Sequence, residues 1–314
     1  MKVVFTFDIR DQQKEGLVAK FPGVSFSYSK KAELDAVKLA NIMVTYGEDV
    51  DATLLEQAQS LEWLMVASAG VEKMPLAEIA ERELVMTNVR GIHKTPMAES
   101  VLAHILALKR SLPLIYQRQQ AKEWKRKVGS SELRGSTALI LGPGAIGSEI
   151  GRLLQAFGVR TIGCNRSGRA CESMDEIVRF DGLLAKLPEA DYVISVLPST
   201  AETKGLLTEE HFKAMKESAV FMNFGRGDLV DEAVLIKSLA EETIAYAVLD
   251  VYATEPLPVE SALWTLPNCT VSPHVSSHSE KYIERALVIF EENLEKWLQG
   301  ERDLVNIVNL ENGY

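Results

Sequence analysis

The sequence predicts an α/β protein built from two doubly wound parallel sheets. Three observations lead to this prediction. Strand-like apolar runs alternate with helical runs, a glycine-rich turn joins one central strand to a helix, and 314 residues are enough for two domains. Alternation of this kind is typical of parallel sheets, because each crossover helix returns the chain to the starting edge of the sheet.

The first series of elements fills the chain up to residue 97. Its short apolar runs are followed by turn residues, and two segments between them have helical spacing. A βαβ rhythm of this kind predicts a parallel sheet that is covered on both faces. The predicted strands are Val3–Asp8, Val24–Tyr28, Ile42–Tyr46, Trp63–Ala67 and Val85–Asn88, and the predicted helices are Glu15–Phe21 and Thr53–Leu61.

A second series begins after a long helical stretch from Pro96 to about Arg110 and a polar, basic segment from Tyr116 to Arg134. A final helix, about Glu280–Leu298, carries apolar residues at helical spacing. We therefore predict a domain of residues 98–277 that is inserted into another α/β domain, which consists of residues 1–97 plus 278–314. The predicted strands of the inserted domain are Thr137–Leu141, Thr161–Cys164, Tyr192–Leu197, Val220–Phe224, Ala245–Val251 and Thr270–Ser272.

Composition and charge exclude several classes of function. A net charge of -10 argues against nucleic acid or an anionic membrane as a partner. The three cysteines form no C-x-x-C pair, which favours reduced thiols and a cytoplasmic location. No apolar run is long enough to span a membrane, and no group of residues has metal-ligand spacing, so we expect no metal.

The most informative stretch is Leu139-Ile-Leu-Gly-Pro-Gly-Ala-Ile-Gly147, which fits G-x-G-x-x-G. An apolar strand precedes this turn and a helical pattern follows it, which is the context that a dinucleotide site requires. In such turns, the first glycine permits the tight bend and the second lets the backbone approach a pyrophosphate. The third lets helix and strand pack closely, and the helix N-terminus faces the anion. The predicted cofactor-binding residues of this turn are Gly142, Gly144, Ala145, Ile146 and Gly147.

Three later segments each place a functional side chain just beyond a predicted strand, where open α/β sheets present ligand groups. They carry Arg226, Glu255 and His274. A guanidinium can grip a carboxylate and polarise the adjacent carbonyl group, and an imidazolium can donate a proton to the forming alcohol. A carboxylate beside the histidine favours the protonated ring. These are the groups that reduction of a 2-oxo acid needs.

These motifs together resemble the D-isomer-specific 2-hydroxyacid dehydrogenase family along almost the whole chain. The resemblance implies a Rossmann nucleotide domain inserted into a flavodoxin-like substrate domain. It is carried by Gly142-x-Gly-x-x-Gly147, Leu197-Pro-Ser-Thr-Ala-Glu-Thr203, Asn223-x-Gly-Arg-Gly227, Leu249-Asp-Val-Tyr252, Glu255-Pro-Leu-Pro258 and Pro273-His274, which occur in the family's order.

The resemblance also implies roles for individual residues. Arg226 would orient the oxo acid, His274 would donate the proton, and Glu255 would support His274. Asp250 would meet the nicotinamide carboxamide, and Leu197, Pro198 and Thr203 would lie against the cofactor. The backbone at Ala69-Gly70-Val71 resembles the family's substrate-carboxylate loop.

One segment departs from the common NAD-binding pattern. An acidic residue about 20 positions beyond the glycines usually binds the ribose hydroxyls, but Asn165 stands at that place here. Arg166 and Arg169 add positive charge and Ser167 adds a donor. Because an acid would repel a 2'-phosphate and an arginine would bind it, the sequence favours NADP over NAD, with NAD use still possible.

The sequence thus predicts a 2-oxo acid reductase that acts on glyoxylate, hydroxypyruvate or a modest aliphatic acid. Two alternatives remain open: a dinucleotide-sensing protein that resembles the family's transcriptional corepressors, and a short phosphoglycerate dehydrogenase. The apolar helix Ser100–Leu108, Pro113 and a following arm with Trp124 resemble the family's dimer arm, so we expect a homodimer.

Overall fold

The computed structural model describes residues 1–32, 34–68, 70–71 and 73–310, and the chain divides into two compact units. The discontinuous unit comprises Met1–Ile92 and Ser279–Tyr314, and the inserted unit comprises His93–His278. The sequence analysis placed the first boundary after residue 97. Residues 93–97 group instead with the inserted unit, because Met97 is buried in the core of that unit.

The discontinuous unit contains a five-stranded parallel sheet in the order β2-β1-β3-β4-β5, which is the flavodoxin-like order. Its strands are β1 (Lys2–Phe5), β2 (Ser25–Tyr28), β3 (Ile42–Thr45), β4 (Trp63–Val66) and β5 (Val85–Asn88). The helices between them are α1 (Asp11–Lys20), α2 (Leu34–Val37), α3 (Ala52–Gln57) and α4 (Leu76–Glu81).

The inserted unit contains a seven-stranded parallel sheet in the order β12-β11-β10-β9-β6-β7-β8. Six of these strands have the Rossmann order and β12 extends the sheet at one edge. The strands are β6 (Thr137–Leu141), β7 (Arg160–Asn165), β8 (Glu176–Arg179), β9 (Tyr192–Ser195), β10 (Val220–Asn223), β11 (Tyr246–Leu249) and β12 (Cys269–Val271). The helices are α5 (Lys94–Lys109), α6 (Leu112–Gln120), α7 (Ala145–Ala156), α8 (Leu183–Lys186), α9 (Glu209–Ala214) and α10 (Glu232–Ala240).

Both sheets are covered on both faces, which explains why their strands are almost continuously apolar. In β6, Leu139 and Leu141 face one core of the inserted unit, and Ala138 and Ile140 face the other. The discontinuous unit has the same arrangement, with Val3 and Phe5 of β1 in one core and Val4 in the other. This architecture confirms the predicted fold class.

The last helix, α11 (Tyr282–Leu298), completes the discontinuous unit. Its Phe290 packs against Phe5 and Trp63, with ring centroids 5.2 and 5.8 Å apart, and Trp297 stacks on Trp63 at 5.5 Å. Large aromatic side chains contribute strongly to core stability, so the N-terminal strands depend on a helix from the far end of the chain.

Strand β8 was not predicted from the sequence. It has the sequence Glu-Ile-Val-Arg and lies at the edge of the sheet, where none of its residues is fully buried. A short edge strand needs neither a long apolar run nor a strict alternation, and therefore it carries little periodic signal.

Candidate active site

The proposed catalytic residues lie on three consecutive loops at one edge of the seven-stranded sheet. Arg226 follows β10, Glu255 follows β11 and His274 follows β12. Because β10, β11 and β12 are neighbouring parallel strands, their carboxyl ends meet at the same edge. Sheet order therefore gathers residues that are separated by up to 48 positions in sequence, from 226 to 274.

Glu255 and His274 form a direct pair. The Nδ1 atom of His274 lies 2.8 Å from Oε2 of Glu255, and the backbone N–H of Tyr252 donates to Oε1 of Glu255 at 3.1 Å. The Tyr252 N–H thus orients the Glu255 carboxylate, and the carboxylate in turn orients the imidazole ring through Nδ1. The His274 side chain is 45% exposed, so the opposite ring nitrogen, Nε2, can reach a ligand.

The backbone of His274 has an unusual conformation that its neighbours stabilise. Its φ is +53°, in the left-handed region, which costs about 1–3 kcal/mol for a residue other than glycine. The next two backbone N–H groups, of Val275 and Ser276, each donate to the Asp250 carboxylate at 3.0 Å. These bonds hold the strained turn in the orientation that points His274 toward Glu255.

Asp250 anchors this loop. Its side chain is fully buried and accepts a third bond from the Ser272 hydroxyl at 2.6 Å. A buried carboxylate is costly unless it is hydrogen-bonded, and three donors from the β12 loop meet that need. The family resemblance implies only a contact between Asp250 and the nicotinamide carboxamide, so these anchoring bonds to the β12 loop were not predicted from the sequence.

Tyr252 is a second anchor that sequence reasoning missed. Its buried hydroxyl lies 2.8 Å from the carbonyl oxygens of both Leu249 and Ser272, and it accepts the Ser272 N–H at 3.0 Å. Burial raises the pKa of this phenol well above its usual range, so the hydroxyl keeps its proton. The available signal was the position of Tyr252 within the Leu-Asp-Val-Tyr motif, between the two functional loops.

Arg226 lies between two glycines that pack too closely for a side chain. A Cβ atom on Gly225 would lie 2.5 Å from the Leu197 carbonyl oxygen, and one on Gly227 would lie 1.9 Å from the Tyr252 carbonyl carbon. The amide of Asn223 closes the turn by donating to the Arg226 carbonyl oxygen at 2.9 Å. Close packing on both sides therefore fixes the backbone from which Arg226 projects.

The glycine turn after β6 has the local geometry that its spacing predicts for the first and third glycines. Gly142 has φ +93°, and a Cβ on Gly147 would lie 2.3 Å from the Gly142 carbonyl oxygen. Gly144, by contrast, has open space where a Cβ would be, and it precedes α7. The exposed Gly144 and Ala145 and the half-buried Ile146 thus leave room beside the N-terminus of a helix of 12 residues.

Asn165, Arg166 and Ser167 form a turn at the end of β7. The Asn165 side chain accepts the Gly168 N–H at 2.6 Å and donates to the Arg169 carbonyl oxygen at 2.9 Å. Arg166 is exposed, and its Nη1 atom lies 3.3 Å from Oε2 of Glu202. Asn165 therefore shapes the turn instead of offering a negative charge.

A further arginine, which sequence reasoning missed, lies beside this turn. Arg179 on β8 is paired in register with Asn165, and a Cβ on Gly168 would lie 3.1 Å from its Cγ atom. No motif marks Arg179, and only the pairing of β7 with β8 brings it here. The turn therefore combines the positive charges of Arg166, Arg169 and Arg179 at one edge of the sheet.

The loop after β9 lies against both the glycine turn and the Arg226 loop. A Cβ on Gly142 would lie 3.2 Å from the Leu197 side chain, and the backbone of Leu197 faces Gly225. Pro198 is exposed, whereas the buried Thr203 hydroxyl closes the loop by donating to the Pro198 carbonyl oxygen at 2.6 Å. The structure thus gives Thr203 a role inside the loop, and its predicted cofactor contact stays a prediction.

The predicted substrate-carboxylate loop belongs to the discontinuous unit and follows β4. Gly70 is half-buried and Val71 is buried, with 2% of its surface exposed. Ala69, the third predicted residue of this loop, lies outside the described residues.

Two kinds of feature are absent from the described residues. Within the described ranges, no group of three or more His, Cys, Asp or Glu side chains could hold a metal ion. The same part of the chain contains no helix that combines the length and apolarity needed to cross a membrane.

Comparison with known proteins supplies the family. The family described as D-isomer specific 2-hydroxyacid dehydrogenase, NAD binding domain, matches residues 102–276. The chain belongs to this family. It is therefore a nicotinamide-dependent oxidoreductase that transfers hydride between the cofactor and a 2-oxo or 2-hydroxy acid, as the sequence motifs predicted.

Individual relatives agree with this membership. The chain is 34% identical over 270 residues to glyoxylate/hydroxypyruvate reductase B of Escherichia fergusonii, which covers 83% of this chain and 82% of the relative. A family protein from Aeromonas salmonicida has a similar structure, with a TM-score of 0.87, 32% identity, and coverage of 98% of this chain and 99% of that one. An NADPH-dependent glyoxylate/hydroxypyruvate reductase from Sinorhizobium meliloti, crystallised with NADP and sulfate, also has a similar structure. Its TM-score is 0.83 and its identity 27%, with coverage of 100% of this chain and 99% of that one.

Proposed function

We propose that this family member is a cytoplasmic, homodimeric 2-oxo acid reductase that prefers NADPH to NADH. The observation that carries the catalytic part is the Glu255–His274 pair, with a separation of 2.8 Å. Its two residues lie on the loops after β11 and β12, at the same carboxyl edge of the sheet as the Arg226 loop after β10. A panel of 2-oxo acids, assayed with NADPH and NADH in parallel by cofactor absorbance, tests the proposal directly.

The glycine turn fits a dinucleotide. The open space at Gly144 and the N–H groups at the start of α7 suit a pyrophosphate, which would be held by Gly142, Gly144, Ala145, Ile146 and Gly147. Leu197, Pro198, Thr203 and Asp250 would lie along the rest of the cofactor. When bound, a reduced nicotinamide supplies a hydride to the substrate carbon.

His274 is proposed to hold the proton that completes the alcohol. Because Nδ1 faces the Glu255 carboxylate, the transferable proton sits on Nε2, at the exposed side of the ring. Glu255 stabilises the protonated ring and keeps its orientation through its own bond to the Tyr252 N–H.

Arg226 is proposed to bind the substrate carboxylate and to polarise the adjacent carbonyl group. Its planar guanidinium presents paired N–H donors, which match the two oxygens of a carboxylate. The backbone of Gly70 and Val71 is proposed to contribute N–H donors to a substrate carboxylate.

The positive turn after β7 supports the NADPH preference. Asn165 stands where an acid would repel a 2'-phosphate. Arg166, Ser167 and Arg169 belong to the same turn, and Arg179 lies beside it on the neighbouring strand. Both side chains of the Arg166–Glu202 pair are exposed, so the pair contributes little to stability. Arg166 can therefore leave Glu202 to bind a phosphate. The Sinorhizobium meliloti relative, which is named as NADPH-dependent, agrees with this preference.

The two alternative functions are less well supported. A corepressor-like sensor needs no intact proton donor, yet Glu255 and His274 form a hydrogen-bonded pair. A phosphoglycerate dehydrogenase must bind a second anionic group. The D-3-phosphoglycerate dehydrogenase of Methanocaldococcus jannaschii is 30% identical to this chain but is matched over only 55% of its length, whereas the Escherichia fergusonii reductase is matched over 82%.

The surface of the inserted unit supports a homodimer. Helix α6 contains no buried residue, and the following arm carries Trp124 with 94% of its surface exposed. An aromatic residue this exposed is typical of an interface anchor, and a second copy of the chain would cover it. The cytoplasmic assignment is supported by three cysteines that are all free.

His274→Gln should lower kcat by about 10²-fold or more while cofactor affinity, followed by fluorescence titration, stays unchanged. Gln keeps a polar side chain but cannot donate an acidic proton. His278→Gln is the matched control, because His278 lies four positions away and is also exposed. A kcat near wild type in the His274 variant would remove this residue from the mechanism.

Arg226→Lys should raise KM for the oxo acid and lower kcat as well, because lysine keeps the charge but loses the planar fork. Steady-state kinetics with a fixed, saturating cofactor measure both effects. Arg152→Lys, on the exposed face of α7, provides the control for the substitution itself. Kinetics of the Arg226 variant that match wild type would sink its assignment.

NADPH should be preferred over NADH by at least about tenfold in kcat/KM, since a charge-assisted contact contributes about 1.5–3 kcal/mol. Asn165→Asp combined with Arg166→Ala should narrow or reverse this preference, with little change in kcat at saturating cofactor. Arg160→Ala, at the opposite end of β7, should leave the preference as it is. An equal or better kcat/KM of the wild type with NADH would contradict the proposal.

The wild type should sediment as a dimer at micromolar concentration, and Trp124→Glu should shift it toward monomer by placing a charge in the interface. Val259→Glu is a control, because Val259 is 84% exposed on a different loop. Circular dichroism checks that each variant is folded. A monomeric wild type would refute the dimer.

A further inference from the structure

An ion pair connects two loops that lie on either side of the glycine turn. The Nη1 atom of Arg166, on the loop after β7, lies 3.3 Å from Oε2 of Glu202, on the loop after β9. In the sheet order, β6 lies between β7 and β9. The pair therefore spans the carboxyl end of β6, where the glycine turn begins.

This end of β6 is the topological switch point of the seven-stranded sheet. From β6 the chain runs to β7 and β8 on one side, and it then returns to β9, β10 and β11 on the other. Open α/β sheets bind ligands in the crevice outside the strand ends at such a point. The Arg166–Glu202 pair thus bridges the crevice in which we propose that the dinucleotide binds.

Hydrogen bonds fix the backbone that carries Glu202. The buried Thr203 hydroxyl donates to the Pro198 carbonyl oxygen at 2.6 Å and accepts the Thr200 N–H at 2.8 Å. The N–H groups of Thr203 and Lys204 donate to the Thr200 carbonyl oxygen at 3.1 and 3.0 Å. A ligand in the crevice would therefore displace the exposed Glu202 side chain and leave its backbone in place.

Arg166 also projects from a fixed turn, because the Asn165 side chain bonds to the backbone of Gly168 and Arg169. A guanidinium can donate the same N–H groups to a carboxylate or to a phosphate. The Glu202 carboxylate therefore takes a donor that a 2'-phosphate would need, and it stays close to any phosphate that replaces it.

We propose that Glu202 is a specificity-determining residue, which competes with the 2'-phosphate of NADPH for Arg166 and so limits the preference for NADPH. The inference rests on the proposed NADPH preference and adds a residue that opposes it. NADPH must draw Arg166 away from Glu202 and bring a phosphate close to a second negative charge. NADH carries a 2'-hydroxyl group instead, which can donate a hydrogen bond to a carboxylate.

The binding of two adenosine fragments tests this role without the chemical step. Adenosine 2',5'-bisphosphate carries the 2'-phosphate, and adenosine 5'-monophosphate lacks it. By isothermal titration calorimetry, the wild type should bind the bisphosphate at least about tenfold more tightly than the monophosphate. Glu202→Gln removes the charge and keeps the shape, so it should increase this ratio about threefold or more through tighter binding of the bisphosphate.

Glu217→Gln is the matched control. Glu217 is exposed and lies three residues before β10, at the opposite end of the sheet. Both substitutions remove one negative charge, so an effect of net charge alone would appear in both variants. The Glu217 variant should keep the wild-type ratio, and the increase in the Glu202 variant should become smaller at high salt, because exposed charges are screened.

Arg166→Ala tests whether the competition is for Arg166. Without this guanidinium, only the repulsion between Glu202 and the phosphate remains. Glu202→Gln should therefore increase the ratio less in the Arg166→Ala background than in the wild-type background, which a double-mutant cycle measures. An equal increase in the two backgrounds would overturn the competition.

The remaining outcomes separate this role from the proposed function. If the wild type prefers the bisphosphate and Glu202→Gln leaves the ratio unchanged, the competition is overturned and the NADPH preference stands. Weaker bisphosphate binding in this variant would also overturn it, because Glu202 would then orient Arg166 toward the phosphate. A wild type that binds both fragments equally would contradict the NADPH preference, and the role of Glu202 with it.

Discussion

The proposed active site depends on the hydrogen bonds that the buried Asp250 carboxylate accepts. It lies at the end of β11 and accepts bonds from Ser272, Val275 and Ser276, all on the loop after β12. These bonds compensate its burial and also hold His274 at a positive φ. Helix α5 adds a bond from the Ser100 hydroxyl to the Ser276 carbonyl oxygen at 3.3 Å. The hydrogen bonds to one buried carboxylate thus hold a strained turn in a single conformation.

Close backbone packing extends this rigidity to the other loops. Gly227 packs against the backbone of Tyr252, Gly225 against Leu197, and Gly147 against Gly142, at distances that a Cβ atom would violate. The loops after β6, β9, β10 and β11 are consequently in mutual contact through glycines. A cofactor site built in this way is preorganised, because little backbone ordering remains to be done when a ligand binds.

The sequence predicted most of the fold and named candidate catalytic residues, for identifiable reasons. Both sheets are covered on each face, so strands such as β4, Trp63–Val66, are wholly buried and read as apolar runs. Residues within a sequence motif, such as Arg226 and His274, could be named as candidates because each follows a predicted strand. Arg179 could not, because only strand pairing places it beside Asn165. Asp250 was recognised, but hydrogen bonds to a loop 22 or more residues away leave no local signal.

Positive charge is concentrated at the edge of the sheet where we propose that the anionic cofactor binds. The net charge of -10 would repel both a dinucleotide and an oxo acid, so attraction must be local. At the end of β7, three arginines surround a turn from which the acidic residue is missing. Parallel strands deliver their loops to one edge of the sheet, and this rule would place recognition of the 2'-phosphate at the end of β7, beside the proposed pyrophosphate site at the end of β6.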